Sequence, residues 1–171
     1  MKFFYDTEFI ESPGRIDLIS IGMVSDAGRE YYAVSSEYDA SQACAWVQQN
    51  VLQSLDIPPQ GRKPREQIAD DLILFMYGTE PPEIELWADY AAYDHVVLCW
   101  LFGAMVDLPT WMPMYTNDLQ QLHAECGRPV LPTRPAGTCR PHHALDDARQ
   151  LARQLAHQYH FLRHYQQAIL Q

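Results

Sequence analysis

The first apolar residues of the chain fall in three short runs, Lys2 to Phe9, Arg15 to Val24 and Glu30 to Val34, together rich in Phe, Tyr, Ile and Val. Ser-Pro-Gly and Asp-Ala-Gly separate them, and turn signals between β-prone runs predict a three-stranded meander. The pattern then changes. Two stretches with helical spacing, about Ala40 to Leu55 and Arg65 to Tyr77, flank a Pro/Gly/basic loop at Ile57 to Pro64. Glu83 to Ala88 reads as a short buried strand, and Ala91 to Phe102 as a helix whose apolar face holds Val96, Val97, Cys99, Trp100 and Leu101.

A Pro-interrupted connector with a short strand at Trp111 to Tyr115 leads into a helix from about Asn117 to Cys126. Gly127 to Pro141 contains four prolines, two glycines and three arginines, a composition suited to a surface loop. His142 to Leu170 reads as one long or broken helix. Strands followed by alternating helices and strands predict an α/β fold, a mixed β-sheet flanked by α-helices. At 171 residues, with no internal repeat and no linker-like tract, residues 1–171 are expected to form a single domain.

Composition acts mainly by exclusion. A hydrophobic content of 47% with 20% charged residues is ordinary for a folded protein and argues against disorder. No apolar stretch approaches the roughly 18 residues of a membrane span, and MKFFYDTEFI reaches Asp6 and Glu8 before any run of secretory length. A cytoplasmic location with no membrane partner is expected. Cys44, Cys99, Cys126 and Cys139 are scattered, which predicts reduced thiols. The net charge of −10 argues against nucleic-acid binding through a bulk basic field. Basic residues nevertheless cluster, in Arg62, Lys63 and Arg65 and again in Arg128, Arg134, Arg140, Arg149 and Arg153, as solvated surface or as phosphate contacts. If part of the acidic excess holds metal, bound cations cancel charge where an anionic substrate approaches.

Three places carry candidate chemistry. In Asp6-Thr7-Glu8 the two acids are two apart on a strand and so share one face. Like charges that close repel unless a cation lies between them, and hard divalent ions favour such oxygen ligands. The alternative is a solvent-facing edge. In Trp87-Ala88-Asp89-Tyr90-Ala91-Ala92-Tyr93-Asp94-His95 a strand ends and a helix begins, the end of a strand where open α/β sheets place their sites. Helix capping is the competing role, for Asp89 especially. His142-His143-Ala144-Leu145-Asp146-Asp147 opens the last helix and offers an acid for metal beside a histidine suited to proton transfer near neutral pH.

In the order Asp-x-Glu, Asp, His-x-x-x-x-Asp these motifs resemble the three exonuclease motifs of the DEDDh 3′-5′ exonuclease family, which includes ribonuclease T, oligoribonuclease and the proofreading exonucleases. MKFFYDTEFIE, IELWADYAAYDHV and HHALDDAR look most like its short bacterial exoribonuclease branch, and the resemblance runs from residue 1 to about residue 155. It implies an RNase H-like fold, Asp6, Glu8, Asp94 and Asp147 as metal ligands, and His142 as general base. The tyrosine subfamily carries Tyr four residues before the last acid; here His143 stands there and His142 five before, which fits the histidine class. One departure is Tyr90, where many relatives carry Asn.

The resemblance further implies two Mg²⁺ or Mn²⁺ ions about 4 Å apart clamping the scissile phosphate, with Asp6 bridging them. The substrate implied is an RNA 3′ end, single-stranded or overhanging, and the product a nucleoside 5′-monophosphate. Thr7 backbone and the aromatics Phe9 and Trp87 are candidate substrate contacts, although large aromatics usually fill cores and both rings are read first as core. Family members often form homodimers, and Tyr159, Phe161, Leu162, Tyr165 and Ile169 on the last helix fit either a partner surface or core packing. The competing readings are a DNA 3′-5′ exonuclease, an RNase H-like endonuclease, and a non-enzymatic module in which His123, Cys126, Cys139 and His142 hold zinc.

Overall fold

The computed structural model describes residues 1–77, 83–137 and 139–169, with side chains through Leu162; Tyr165, Ile169 and Leu170 therefore fall outside what is described of the last helix's side chains or backbone. Five strands form one mixed sheet in the order β3-β2-β1-β4-β5: β1 (Lys2–Ser12), β2 (Arg15–Ser25), β3 (Glu30–Val34), β4 (Glu85–Ala88) and β5 (Asn117–Asp118). The first three are antiparallel and β4 and β5 run parallel to β1. The meander read from the sequence is present, with β1 three residues longer because Ser12 pairs with Arg15 around a turn whose Gly14 takes a φ of 79°.

Helices α2 (Arg65–Met76) and α3 (Ala92–Leu101) cover one face. There Phe3 and Tyr5 of β1 pack with Ile68, Leu72, Leu98 and their neighbours into the main core. Helices α4 (Leu119–Glu125) and α5 (Ala144–Ile169) cover the other face, where Phe4 and Trp87 meet Leu119, Leu151 and Leu155. A third apolar cluster joins Ile10 and Ile19 to Ala43 and Val51, next to helix α1 (Ala45–Asn50). Period-two alternation along β1 thus sends Phe4 into one cluster and Ile10 into another on the same face, with Asp6 and Glu8 spanning the gap between them.

Two expectations need correction. The stretch from Ala40 to Leu55 is not one helix: α1 is short, with 3₁₀ turns at Ala40–Gln42 and Leu52–Ser54 on either side. The Asp39 carboxylate accepts from the Ser41 amide, and Ala43 adopts an extended conformation, so the first turn cannot propagate. Nor does Trp111 to Tyr115 form a strand, since Pro113 lacks the amide donor a parallel ladder needs. Pairing with β4 falls instead to Asn117 and Asp118, and Asp118 also caps α4 by accepting from the Gln120 and Gln121 amides. Among the described residues no helix is long and apolar enough to cross a membrane.

Gly22 of β2 sits between Asp6 of β1 and Tyr32 of β3. A Cβ on this glycine would overlap the backbone of Ala144 and Leu145, so the first turn of α5 lies directly on the strand. Gly22→Ala must push α5 off the sheet, and overpacking of this kind costs about 1–3 kcal/mol, so the melting temperature is expected to fall by roughly 3–10 °C in a thermal unfolding scan.

Candidate active site

The unpaired part of β1 starts the site. β4 pairs only with Lys2, Phe3 and Phe4, and beyond them the β1 edge is taken up by a side chain. Asp94, in the first turn of α3, accepts from the Thr7 amide at 2.8 Å and the Thr7 hydroxyl at 2.6 Å. The two hydrogen bonds tie the second acidic motif to the first across 87 residues of chain. A shift of register in the β1–β2 ladder between Glu8 and Phe9 bends the strand at the same place.

The third motif is sorted by which member of each pair points where. His143 is buried, stacks on Tyr32 at 4.5 Å and lies 3.4 Å from the Asp56 carboxylate. Asp146 is buried too, and accepts from the Arg140 amide and guanidinium and from Arg149. Both are fully engaged in anchoring the start of α5. Their neighbours His142 and Asp147 face the cleft with Glu8, and one ligand atom from each of these three lies within 4.8 Å of the others. His142 takes a left-handed φ of 57°, uncommon outside glycine, and is held there by Ser54, whose hydroxyl donates to its carbonyl at 2.7 Å, and by an edge contact with Trp46 at 4.7 Å.

These groups line one cavity of about 1160 Å³. Asp6, Glu8, Asp94 and Asp147 all reach it, joined by Asp89 and Glu11. Burial raises the carboxyl pKa of Asp6 well above the usual range, and the charges of Asp94, Glu8, Asp147 and Asp89 push it further. Glu8 is pushed up to about 8 by burial and by Asp147 and Asp94, with Arg134 opposing. Asp94 rises to about 6, chiefly by burial, against the two Thr7 hydrogen bonds. Asp147 rises by burial, with the Arg134 and His142 charges opposing. Four acids held together in this way could hold hard divalent cations, whose charge would remove the repulsion. Asp6 and Asp94 adjoin the Glu8–His142–Asp147 trio without being part of it.

The remaining residues read from the sequence divide. Thr7 and Phe9 line the cavity, and Phe9 stacks on Tyr93 with ring centres 5.6 Å apart. Trp87 does not line it; the ring is 7% exposed and fills the core against Phe4, Leu151 and Tyr159, as its place on the Phe4 side of the sheet requires. Asp89 accepts from the Gln120 side chain and faces the cavity, while capping falls to Asp118. Tyr90 also lines it, exposed and in a left-handed conformation with a φ of 58° that Asn adopts more readily than Tyr. The zinc reading fails: among the described residues the group spaced for a metal is Glu8, His142 and Asp147, and Cys139 instead donates to the Asp146 carbonyl and meets Arg134 and Arg153. Trp46 was not singled out by the sequence, Tyr93 entered only as the residue before Asp94, and Arg134 only as one member of a basic cluster.

Comparison with known proteins places the chain. A family model described as the 3′-5′ exoribonuclease Rv2179c-like domain matches residues 1–158. The 3′-5′ exoribonuclease Rv2179c of Mycobacterium tuberculosis (strain ATCC 25618 / H37Rv) is 48% identical over 155 residues, 90% of each chain. Among solved structures, the zinc-bound E. coli exonuclease I complex with single-stranded DNA matches with a TM-score of 0.58 at 12% identity, over 88% of this chain and 38% of that one. A 3′-exonuclease recognising the 3′ end of a histone mRNA stem-loop matches with a TM-score of 0.53 at 13% identity, over 91% and 62%. The chain thus spans about two fifths of exonuclease I, and at these identities the likeness shows the fold alone: the RNase H-like α/β fold of the DEDD exonucleases.

The raised carboxyl pKa values fix the sign of a pH effect. Burial and the neighbouring acids push Glu8 up to about 8 in the folded protein against an ordinary value of 4.5, so the contribution of Glu8 to folding stability is full below about pH 4.5 and is lost as pH rises through 8. In EDTA-treated protein, Glu8→Gln is therefore expected to melt above wild type at pH 8.5 by roughly 3 °C or more, the gap closing towards pH 4.5. Adding Mg²⁺ or Mn²⁺ at pH 8.5 should raise the wild-type melting temperature more than that of the variant. Equal melting of the two proteins across that range would contradict the crowding of charge described for Glu8.

Proposed function

Because the chain belongs to the family of the 3′-5′ exoribonuclease Rv2179c-like domain, we propose that it trims RNA from the 3′ end by hydrolysis, releasing nucleoside 5′-monophosphates, with Mg²⁺ or Mn²⁺ held by Asp6, Glu8, Asp94 and Asp147. The observation that carries the reading at the site is the convergence of acids from three distant segments on one cavity, with His142 beside them. The donor set fits two hard cations, which when bound neutralise the scissile phosphate and lower the pKa of the attacking water. The other parts of the chemistry fall to side chains. His142, fixed by Ser54 and Trp46, accepts the proton from the attacking water, a step typically worth about 10²- to 10⁴-fold in rate. Thr7 orients Asp94 through its amide and hydroxyl. The stacked Phe9 and Tyr93 rings offer a flat apolar surface for the terminal base.

The reading takes the whole chain as one exonuclease domain acting in the cytoplasm, in keeping with its four free cysteines, and takes the enzyme to be a homodimer. Val96 and Trp100, exposed at helical spacing on the outer side of α3, support a partner surface; light scattering on purified protein measures the mass directly.

A time course on 5′-labelled single-stranded RNA and on DNA of the same sequence, with Mg²⁺, Mn²⁺ or EDTA, tests the activity. Stepwise shortening of the RNA that EDTA abolishes is expected. Asp6→Ala should trim nothing measurable, and His142→Ala should lose about 10²- to 10⁴-fold in kcat. Undiminished trimming by Asp6→Ala, or cutting of a circular RNA, refutes the assignment.

A further inference from the structure

The cavity is strongly acidic, and a phosphate backbone entering it needs positive charge. Most members of the basic clusters are engaged elsewhere, and Arg128 does not line the cavity. Lys63 is paired with Asp71 and Arg65 with Asp17, while the Arg62 guanidinium lies over the Tyr38 ring. In the last third, Arg140 is held by Asp56 and Asp146, Arg149 by Glu30 and Asp146, and Arg153 by Gln150. Among the described residues, Arg134 is the single Lys or Arg side chain that lines the cavity.

Arg134 pairs with Asp147, the acid expected to turn to a cation. Those two uses of one carboxylate conflict, because a guanidinium and a divalent ion repel at such range in a partly buried site. The loop that carries Arg134 is pinned on both sides of it. Buried Gln150 donates to the Pro132 carbonyl at 2.6 Å, and the Cys139 thiol donates to the Asp146 carbonyl at 3.2 Å. The backbone is therefore anchored while the long side chain, 36% exposed, is free to change partner within the cavity. A planar guanidinium matches two phosphate oxygens at once, which an ammonium does not.

We propose that Arg134 is a substrate-binding residue: its guanidinium leaves Asp147 when that carboxylate turns to a divalent cation, and grips a phosphate of the RNA backbone in the same cavity. The inference rests on the exonuclease reading above and adds the group that recognises the anionic strand. Metal and RNA then favour each other's binding, since the cation displaces the side chain that holds the strand.

The test compares Arg134→Gln and Arg134→Lys in a His142→Ala background that blocks hydrolysis. Calorimetry with Mn²⁺ alone measures metal affinity, and anisotropy of a 5′-fluorescent single-stranded RNA with Mn²⁺ present measures RNA affinity as salt is raised. Arg134→Gln is expected to bind Mn²⁺ several-fold more tightly, because its competitor for Asp147 is gone. It should bind RNA roughly 10- to 100-fold more weakly, with the slope of log affinity against log salt reduced by about 0.7, the signature of one lost phosphate contact on a single strand. Arg134→Lys should keep the wild-type salt slope while recovering part of the affinity. Unchanged RNA affinity and salt slope in Arg134→Gln overturns the proposal, as does weaker Mn²⁺ binding, which makes Arg134 a support of the metal site instead. Trimming by the protein with His142 intact is scored separately, so failure of the exonuclease reading is told apart from failure of this one.

Discussion

The whole site depends on how closely α5 approaches the sheet. Strand β2 has a glycine opposite Asp6, and the first turn of α5 occupies the volume that any side chain there would fill. This backbone-on-backbone contact brings Asp147 over the Asp6–Glu8 row. Apolar clusters on either side, Phe4 with Leu151 and Leu155 and Ile10 with Val51, hold the sheet, α5 and the α1 segment in place. Hydrophobic burial thereby forces carboxylates together that would separate in water, and the raised pKa values of Glu8 and Asp94 record that opposition. Packing supplies the free energy, and the charges are left in a state that a cation relieves.

The start of α5 shows how neighbouring residues of one chemical type divide between the support of the helix and the cleft. His143 and Asp146 face inward, satisfied by Tyr32, Asp56, Arg140 and Arg149, and they fix the helix. His142 and Asp147 face the cleft, and because their neighbours are anchored they are presented with little freedom. A buried residue with full partners is rigid, and it passes that rigidity to the residue beside it.

Much of this was legible in the sequence wherever the information was local. Period-two spacing placed Asp6 and Glu8 on one face, turn signals bounded β1 to β3, and the strand-to-helix junction located Asp94. The order of the acidic motifs supplied the family. What was illegible depended on contacts between distant segments. Trp87 reads as platform or core until β4 is seen to put it under α5. The break in the 40–55 stretch arises where Ala43 turns inward to join Ile10 and Ile19. Arg134 was one of five clustered arginines, and its distinction is that it lines the cavity while Arg140, Arg149 and Arg153 are held by acids or an amide elsewhere.

The brevity of β4 has a consequence beyond the chemistry. Its pairing with β1 stops at Phe4, so the rest of that strand keeps an open side next to the cleft. Exposed strand margins ordinarily recruit another polypeptide and seed aggregates, and proteins guard them with charge. Here the guard is the Asp94 carboxylate, which occupies the Thr7 amide. Replacing Asp94 by alanine thus uncovers a strand donor on that margin as well as emptying part of the cleft.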